Sequence, residues 1–244
     1  MTLEITNLSG GYGPLQVLKK ETFTVNNGEV VGLIGLNGAG KSTTIKHIIG
    51  LLQARSGEIK IDGGQLKDDI EGYRKKIAYV PESPILYPEL TLKEHIELTI
   101  MAYGLDENKT WEKAHHLLEK FRLSNKLDWF PENFSKGMKQ KVMIVCAFMR
   151  DASVFIIDEP FTGLDPIAVH DLLELIEEKK NQGSAVLMST HILITAQENA
   201  DRFVLINDGQ VVSQGTIEQL RENFQMPDAS LDDIYLEMTK EAVK

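Results

Sequence analysis

A glycine-rich segment ending in Lys-Ser constrains the fold of this chain most. Gly35–Ser42 reads Gly-Leu-Asn-Gly-Ala-Gly-Lys-Ser and matches G-x-x-x-x-G-K-[S/T] at every specified position. The apolar run Glu29–Ile34 predicts a strand directly before it, and Thr43–Ile49 predicts a helix directly after it. Glycines let successive backbone N–H groups converge on phosphate oxygens, and the helix N-terminus adds partial positive charge. The segment therefore predicts a strand–loop–helix unit that binds phosphates, rather than a glycine turn that only joins strand to helix.

Two polar side chains at the end of this segment carry its expected chemistry. Lys41 brings a positive charge to the terminal phosphates, and the Ser42 hydroxyl is placed to ligate Mg²⁺. A second apolar strand, Val154–Ile157, ends in Asp158 and Glu159. We expect Asp158 to reach the metal through its water shell, and Glu159 to accept a proton from an attacking water. The alternative is a pair of solvated acids at a strand end.

Composition excludes several classes of protein. The 244 residues carry a formal net charge of -10, which is the wrong sign for broad nucleic-acid binding, so no nucleic-acid partner is expected. The single cysteine can form neither an internal disulfide nor a Cys-based zinc site. No apolar segment approaches the ~18 residues that a spanning helix needs, and the first residues do not look like a secretory signal.

The hydrophobic period divides the chain. The first 65 residues have the pattern of short strands with glycine turns, whereas residues 88–150 have helical spacing that begins at a capping box, Thr91–Glu94. Strand patterns return at Val154, Ala185 and Arg202, with a helix between the first two. A strand, a helix and a further strand predict a right-handed crossover in an α/β core.

The hydrophobic pattern also predicts where an aromatic pair and the tail of the chain lie. Trp129 and Phe130 are predicted to be core residues, with the alternative that they line a groove for a partner helix. The tail is predicted to fold back as a helix whose inward face carries Leu231, Ile234, Tyr235 and Met238.

Six motifs in order carry a family resemblance. Besides the phosphate loop and Asp158–Pro160 they are Tyr79–Glu82, Phe134–Met138, Gly163–Pro166 and Ser189–His191, with Tyr12 preceding them. Together they resemble the ATP-binding subunits of ABC transporters, and within that family the Ecs-type ATPases, over essentially the whole chain. The resemblance implies a P-loop NTPase (RecA-like) α/β core with an antiparallel β subdomain and an α-helical subdomain.

The resemblance also implies a single ABC ATPase domain over residues 1–244. Residues 1–87 and 151–222 would form the core and β subdomain, 88–150 the helical subdomain, and 223–244 a helical tail. The sequence departs from the family pattern at Phe134, Lys136 and Met138 of the signature, and at Glu82, where the family usually has a glutamine.

The resemblance assigns roles to residues one by one. Tyr12 corresponds to the aromatic residue that stacks on adenine, although a turn tyrosine is the structural alternative. Ser135, which also predicts a helix N-cap, and Gly137 would bind the γ-phosphate held by a second subunit. His191 would orient the attacking water, and Asp165 would either link the two sites of a dimer or simply cap a helix.

The candidate residues form three groups. Those expected to bind ATP are Tyr12, Gly35, Asn37, Gly38, Ala39, Gly40, Lys41, Ser42, Thr43, Glu82, Ser135, Gly137 and Asp165. Those expected to hold Mg²⁺ are Ser42, Asp158 and Glu82, and those expected to act in catalysis are Glu159, His191 and Lys41.

The function that follows is ATP hydrolysis that drives a separate integral membrane permease, in an exporter, through head-to-tail dimerisation of two ATPase subunits. The chain would be peripheral, on the cytoplasmic face of the cell membrane. Two alternatives remain: a soluble ABC ATPase that acts on ribosomes or DNA, and a nucleotide-dependent switch that binds but barely hydrolyses ATP.

Overall fold

A mixed six-stranded sheet forms the centre of the molecule in a computed structural model that describes residues 2–241. Its strand order is β5-β6-β7-β3-β8-β9, and all neighbouring pairs are parallel except β8 and β9. The strands are β3 (Val30–Gly35), β5 (Ile77–Val80), β6 (Val154–Asp158), β7 (Ala185–Ser189), β8 (Arg202–Asn207) and β9 (Gln210–Gly215). The predicted parallel crossover from β6 to β7 is present, and it runs through α6 (Pro166–Asn181).

A second, antiparallel sheet has the order β2-β1-β4. Its strands are β1 (Leu3–Tyr12), β2 (Leu15–Val25) and β4 (Ser56–Ile61). Its apolar side chains and α1 (Lys41–Ile48) cover one face of the central sheet, where Val31, Leu33 and Ile156 are fully buried. The combination of an α/β core with an antiparallel β layer confirms the predicted fold class.

Helices from the middle of the chain cover the opposite face. They are α3 (Leu92–Tyr103), α4 (Glu107–Lys120) and α5 (Lys136–Phe148), which pack with α6 against Phe155, Ile157 and Val186. Thr91 begins α3 with a complete capping box: its hydroxyl accepts from the Glu94 N–H while the Glu94 carboxylate accepts from the Thr91 N–H. These helices lie within the predicted insertion 88–150. The domain boundaries themselves stay a prediction.

A third cluster of apolar residues closes the end of the sheet near β8. Here α7 (Leu193–Asn199), α8 (Ile217–Asn223) and α9 (Leu231–Glu241) pack on Ile34, Phe203 and Leu205. The predicted inward face of the tail is present, although residues 242–244 of the predicted tail lie outside the described residues. The remaining regular elements are α2 (Ile70–Lys75) and two short 3₁₀ turns, Ser124–Lys126 and Pro131–Asn133.

The prediction that Trp129 and Phe130 are core residues is wrong. Their side chains are 39% and 40% exposed, and the stretch between the two 3₁₀ turns contacts the start of α3 through backbone carbonyls. The Leu127 and Trp129 carbonyls accept the N–H groups of Lys93 and Leu92. Among residues 2–241, no helix combines the length and the apolar character needed to cross a membrane.

Candidate functional site

A cavity of about 760 Å³ opens where several parallel strands of the central sheet end. Most of its lining residues come after four of these strands: the loop and first helical turn after β3, Glu82 after β5, Glu159 and Thr162 after β6, and His191 after β7. Parallel strands bring their carboxyl ends to one edge of a sheet, which is where α/β proteins bind ligands. The topology therefore assembles residues that are distant in sequence.

The loop between β3 and α1 has a backbone that requires glycine. Gly38 and Gly40 have φ values of 84° and 121°, in a region that residues with a Cβ rarely adopt. A Cβ at Gly35 would lie 2.5 Å from the Ile206 carbonyl oxygen of the neighbouring strand. Asn37 and Thr43 line the same cavity, whereas Ala39 is buried beneath it, where its carbonyl accepts from the Gly209 N–H.

Lys41 is a buried cation whose partners are neutral. Its side chain is 7% exposed, and its ammonium group donates to the Gly35 and Leu36 carbonyl oxygens at 2.8 and 3.4 Å. No carboxylate of the described residues lies within ion-pair distance of it. A buried charge without a counter-ion is costly, so the loop fits a polyphosphate that supplies the missing negative charge.

Three carboxylates lie close together here, since Glu82 and Glu159 line the cavity and the buried Asp158 directly precedes Glu159. The Ser189 hydroxyl donates to Asp158 Oδ1 at 2.5 Å. Burial raises the pKa of Asp158, and the negative charges of Glu82 and Glu159 raise it further, while the hydrogen bond from Ser189 and the nearby Ser42 hydroxyl oppose the shift. An oxygen-rich group of like charges beside a serine hydroxyl is the donor set that Mg²⁺ prefers. The three residues predicted to hold the metal therefore lie near one another and offer oxygen donors, and their role as ligands stays a prediction.

Glu159 and His191 form a close pair. Glu159 Oε2 lies 2.6 Å from His191 Nδ1 and also accepts from the His191 backbone N–H at 3.1 Å. The Glu159 side chain is 12% exposed, against 62% for His191. Glu159 has a φ of 46°, a strained left-handed conformation for a residue with a Cβ. This conformation turns the chain at the end of β6, and the Glu159 carboxylate lies in the cavity wall.

Tyr12 lies at the end of β1, outside the cavity lining, and is 41% exposed. The Lys46 ammonium on α1 donates to its phenol oxygen at 3.1 Å and lies 5.3 Å from the ring centroid. The hydrogen bond from Lys46 lowers the pKa of Tyr12. The structure thus ties this ring to the helix that follows the phosphate loop and leaves one side open to solvent.

The signature segment lies apart from the cavity of its own chain. Ser135 is exposed and caps α5, because its hydroxyl accepts from the Met138 N–H at 3.3 Å. A Cβ at Gly137 would lie 2.3 Å from the Gly163 carbonyl oxygen, so only glycine fits there. Asp165 caps α6 through the Ala168 N–H and pairs with Lys141 of α5 at 2.7 Å. The ion pair with Lys141 lowers the pKa of Asp165 and ties this turn to the signature helix.

Four residues near the site were not predicted as site residues, and Leu36 of the phosphate loop is one of them. Ser189 accepts from the Glu159 N–H and donates to Asp158, so it joins both carboxylates. The sequence alone did not indicate this role, because the contact depends on the register of β7 beside β6, in which Ser189 pairs with Asp158. Thr162 and Tyr235 also line the cavity. Tyr235 comes from the tail, where the sequence has no feature that indicates proximity to the phosphate loop.

The fold and the site define a P-loop nucleotide-binding protein, because a glycine-rich cradle with a buried lysine lies at the carboxyl edge of a parallel sheet. The ABC transporter family model matches residues 18–162. The chain is 54% identical to the ABC-type transporter ATP-binding protein EcsA of Bacillus subtilis, over 98% of this chain and 97% of that protein. It is 35% identical to the SkfA peptide export ATP-binding protein SkfE of the same organism, over 90% of this chain and 91% of that protein. The chain therefore belongs to the ABC transporter family, as an ATP-binding subunit.

Solved structures agree with this assignment. An ATP-binding subunit of an ABC transporter superposes with a TM-score of 0.95 at 54% identity, covering 98% of this chain and all of that one. A nucleotide-free ATP-binding cassette from an ABC transporter superposes with a TM-score of 0.78 at 25% identity, covering 96% and 98%. The predicted family is thereby confirmed.

Proposed function

We propose that this chain hydrolyses ATP with Mg²⁺ and that hydrolysis drives export through a separate membrane permease. The observation that carries the proposal is one cavity lined by the buried Lys41 and by the Glu159–His191 pair, with the buried Asp158 directly before Glu159. Phosphoryl transfer to water requires a positive charge on the phosphates, a carboxylate that can hold the metal, and a base that activates the water. Lys41, Asp158 and Glu159 are suited to these three parts.

Each residue has a part in the proposed reaction. Lys41 and the loop N–H groups bind the terminal phosphates of ATP, while Tyr12 packs on the adenine. Ser42 and Asp158, with Glu82, would hold Mg²⁺, which when bound neutralises charge on the phosphate oxygens. The Glu159 carboxylate accepts a proton from the attacking water, and His191 holds that carboxylate in place and orients the water.

We further propose that two copies associate head to tail around two ATP molecules. Ser135 and Gly137 lie outside the cavity lining of their own chain. They are at the N-terminus of α5, where Ser135 is exposed to solvent. Partial positive charge at the start of α5, together with exposed Lys136, suits the γ-phosphate bound by a second copy. Asp165, fixed to α5 by Lys141, would transmit the contact between the two sites.

The proposed permease contact lies on an apolar group around the start of α3. We define the α3 patch as Ile85, Tyr87, Trp129 and Phe130, whose side chains are 39% to 77% exposed. Tyr87 is held by its N–H, which donates to His95 Nε2 of α3 at 2.9 Å, and Trp129 is held by its carbonyl on Leu92. An exposed, fixed aromatic group of this kind is typical of protein interfaces. In this proposal the chain is a peripheral subunit at the cytoplasmic face of the membrane.

Replacing Glu159 by glutamine tests the proposed reaction. The Glu159→Gln side chain keeps its volume but cannot accept the proton, so steady-state ATP turnover is expected to fall by about 100-fold or more. The ATP dissociation constant should stay close to the wild-type value, measured by calorimetry. Glu222→Gln, an exposed residue of α8, is the matched control and should hydrolyse normally. Wild-type turnover by Glu159→Gln would overturn the catalytic assignment.

A further inference from the structure

The cavity wall contains a side chain from the far end of the chain. Tyr235 of α9 lines the same cavity as Glu159 and His191, although it lies more than 70 residues beyond the segment 18–162 that defines the family match. We propose that Tyr235 is a positioning residue of the ATPase site, whose ring closes the cavity beside Glu159 and His191. The inference rests on the proposed function and extends the site to the tail helix.

The helix that carries Tyr235 is firmly anchored. Leu231, Ile234 and Met238 recur at helical spacing and are at most 2% exposed, in the cluster that also buries Ile34 at the end of β3. Burial of these three large apolar side chains stabilises the docked helix. Tyr235 follows Ile234 directly and is half-buried at the edge of this face. The packing of α9 on the apolar cluster therefore fixes the position of Tyr235 without bound nucleotide.

The same helix also supports the segment that carries His191. The chain passes from His191 through Ile192 into α7, and α7 packs against α9 in one apolar cluster. The Leu231 N–H donates to Gln197 Oε1 of α7 at 2.6 Å, which fixes the start of α9 to that helix. Hence α9 contributes the ring of Tyr235 to the cavity wall, and it also packs against the helix that follows His191.

The ring, rather than the hydroxyl, is the part that the site uses. Burial and the charge of Glu159 both raise the pKa of Tyr235, so the phenol is neutral at physiological pH and adds no further negative charge to the cavity. Among the side chains of residues 2–240, none forms a hydrogen bond with the Tyr235 hydroxyl. A neutral aromatic wall excludes bulk water from one side of Glu159, and excluding water strengthens the electrostatic interactions inside the cavity.

Tyrosine NMR tests this placement without measuring turnover. The protein has six tyrosines, so ring-labelled tyrosine gives few signals, and Tyr235→Phe identifies one of them. Glu159→Gln is expected to shift the Tyr235 signal in the absence of nucleotide. ATP with Mg²⁺ is expected to shift the signals of Tyr235 and Tyr12 but not that of Tyr103, which lies against Arg150. If Tyr12 shifts and Tyr235 does not, the inference fails while the nucleotide site stands; if neither shifts, the proposed function fails.

Kinetics test the role of the ring. Tyr235→Ala is expected to lower kcat about tenfold, because water enters beside Glu159, while KM for ATP stays within about twofold. Tyr235→Phe keeps the ring and should restore kcat to within about twofold of wild type. Leu236→Ala, on the next residue and 55% exposed, is the matched control and should leave both constants unchanged. Tyr235→Leu preserves most of the volume and replaces the alanine variant if that variant does not fold. Wild-type kcat in these non-aromatic variants, or loss of kcat in Tyr235→Phe, would overturn the proposal.

Discussion

A buried acid lies beneath the phosphate-binding helix. Glu21 of β2 is 0% exposed, and its Oε2 atom accepts from the Thr44 hydroxyl of α1 at 2.7 Å. Its other oxygen, Oε1, has no hydrogen-bond partner within the described part of the chain. Burial raises the pKa of Glu21 to about 7. The residue therefore couples the stability of the fold to pH at the base of the proposed ATP site.

Glu21 should make the protein less stable as the pH rises toward neutrality. The folded state holds the proton up to about pH 7, whereas the unfolded chain releases it near pH 4.5. The contribution of Glu21 is therefore fully present below the unfolded pKa and is lost as the pH rises through the folded one, by about 3 kcal/mol in all. Glu21→Gln cannot titrate, so its unfolding free energy should fall less than that of wild type over this window.

Urea denaturation at several pH values between these limits measures the difference directly. Glu222→Gln, where the acid is exposed, serves as the control and should follow the wild-type pH dependence. Parallel pH profiles for Glu21→Gln and wild type would show that the folded state does not hold the Glu21 proton.

At the scale of elements, exposed apolar residues show where sequence reasoning reaches its limit. Hydrophobicity indicates that Trp129 and Phe130 should avoid water, but it does not say whether the chain or a partner covers them. The segment instead uses its carbonyls to hold the first turn of α3, and it leaves the rings outside. By contrast, Thr91 and Ser135 were predicted correctly as helix caps, because capping depends on residues within one turn.

A charge placed on the α3 patch should separate the permease contact from the ATPase. Ile85 is 77% exposed, so Ile85→Glu is expected to change the unfolding free energy by less than about 0.5 kcal/mol. It should nevertheless weaken binding to inverted membrane vesicles that contain the permease, because a charge would be buried in the contact. Ile70→Glu, at a residue 57% exposed on α2, is the control and should bind normally.

Sedimentation of the protein with vesicles measures this binding, and ATP turnover without vesicles confirms that the site is intact. Equal sedimentation of Ile85→Glu, Ile70→Glu and wild type would place the membrane contact somewhere other than the α3 patch.

At the scale of the whole molecule, the sequence predicted the layers but not the strand order. The sequence implies a parallel sheet, because one apolar strand is followed by a phosphate loop and another by a carboxylate. It does not indicate that β7 lies between β6 and β3, because that order depends on contacts between distant segments. The same applies to the site. The loop residues follow from local backbone needs, whereas Ser189 and Tyr235 enter it through long-range packing.

The proposed head-to-tail dimer predicts that the mass of the protein in solution depends on ATP. In Glu159→Gln, bound ATP persists, so its γ-phosphate should hold two copies together and the mass in solution should rise from 27.4 kDa to about twice that value. Adding Ser135→Asp to that variant keeps a good N-cap for α5, and folding should be unaffected. The added carboxylate repels the phosphate of the second copy, so the double variant should remain monomeric with ATP. Analytical ultracentrifugation measures both masses, and the unfolding midpoint checks the cap. Dimers of undiminished affinity in the double variant would show that the start of α5 does not contact the nucleotide of the second copy.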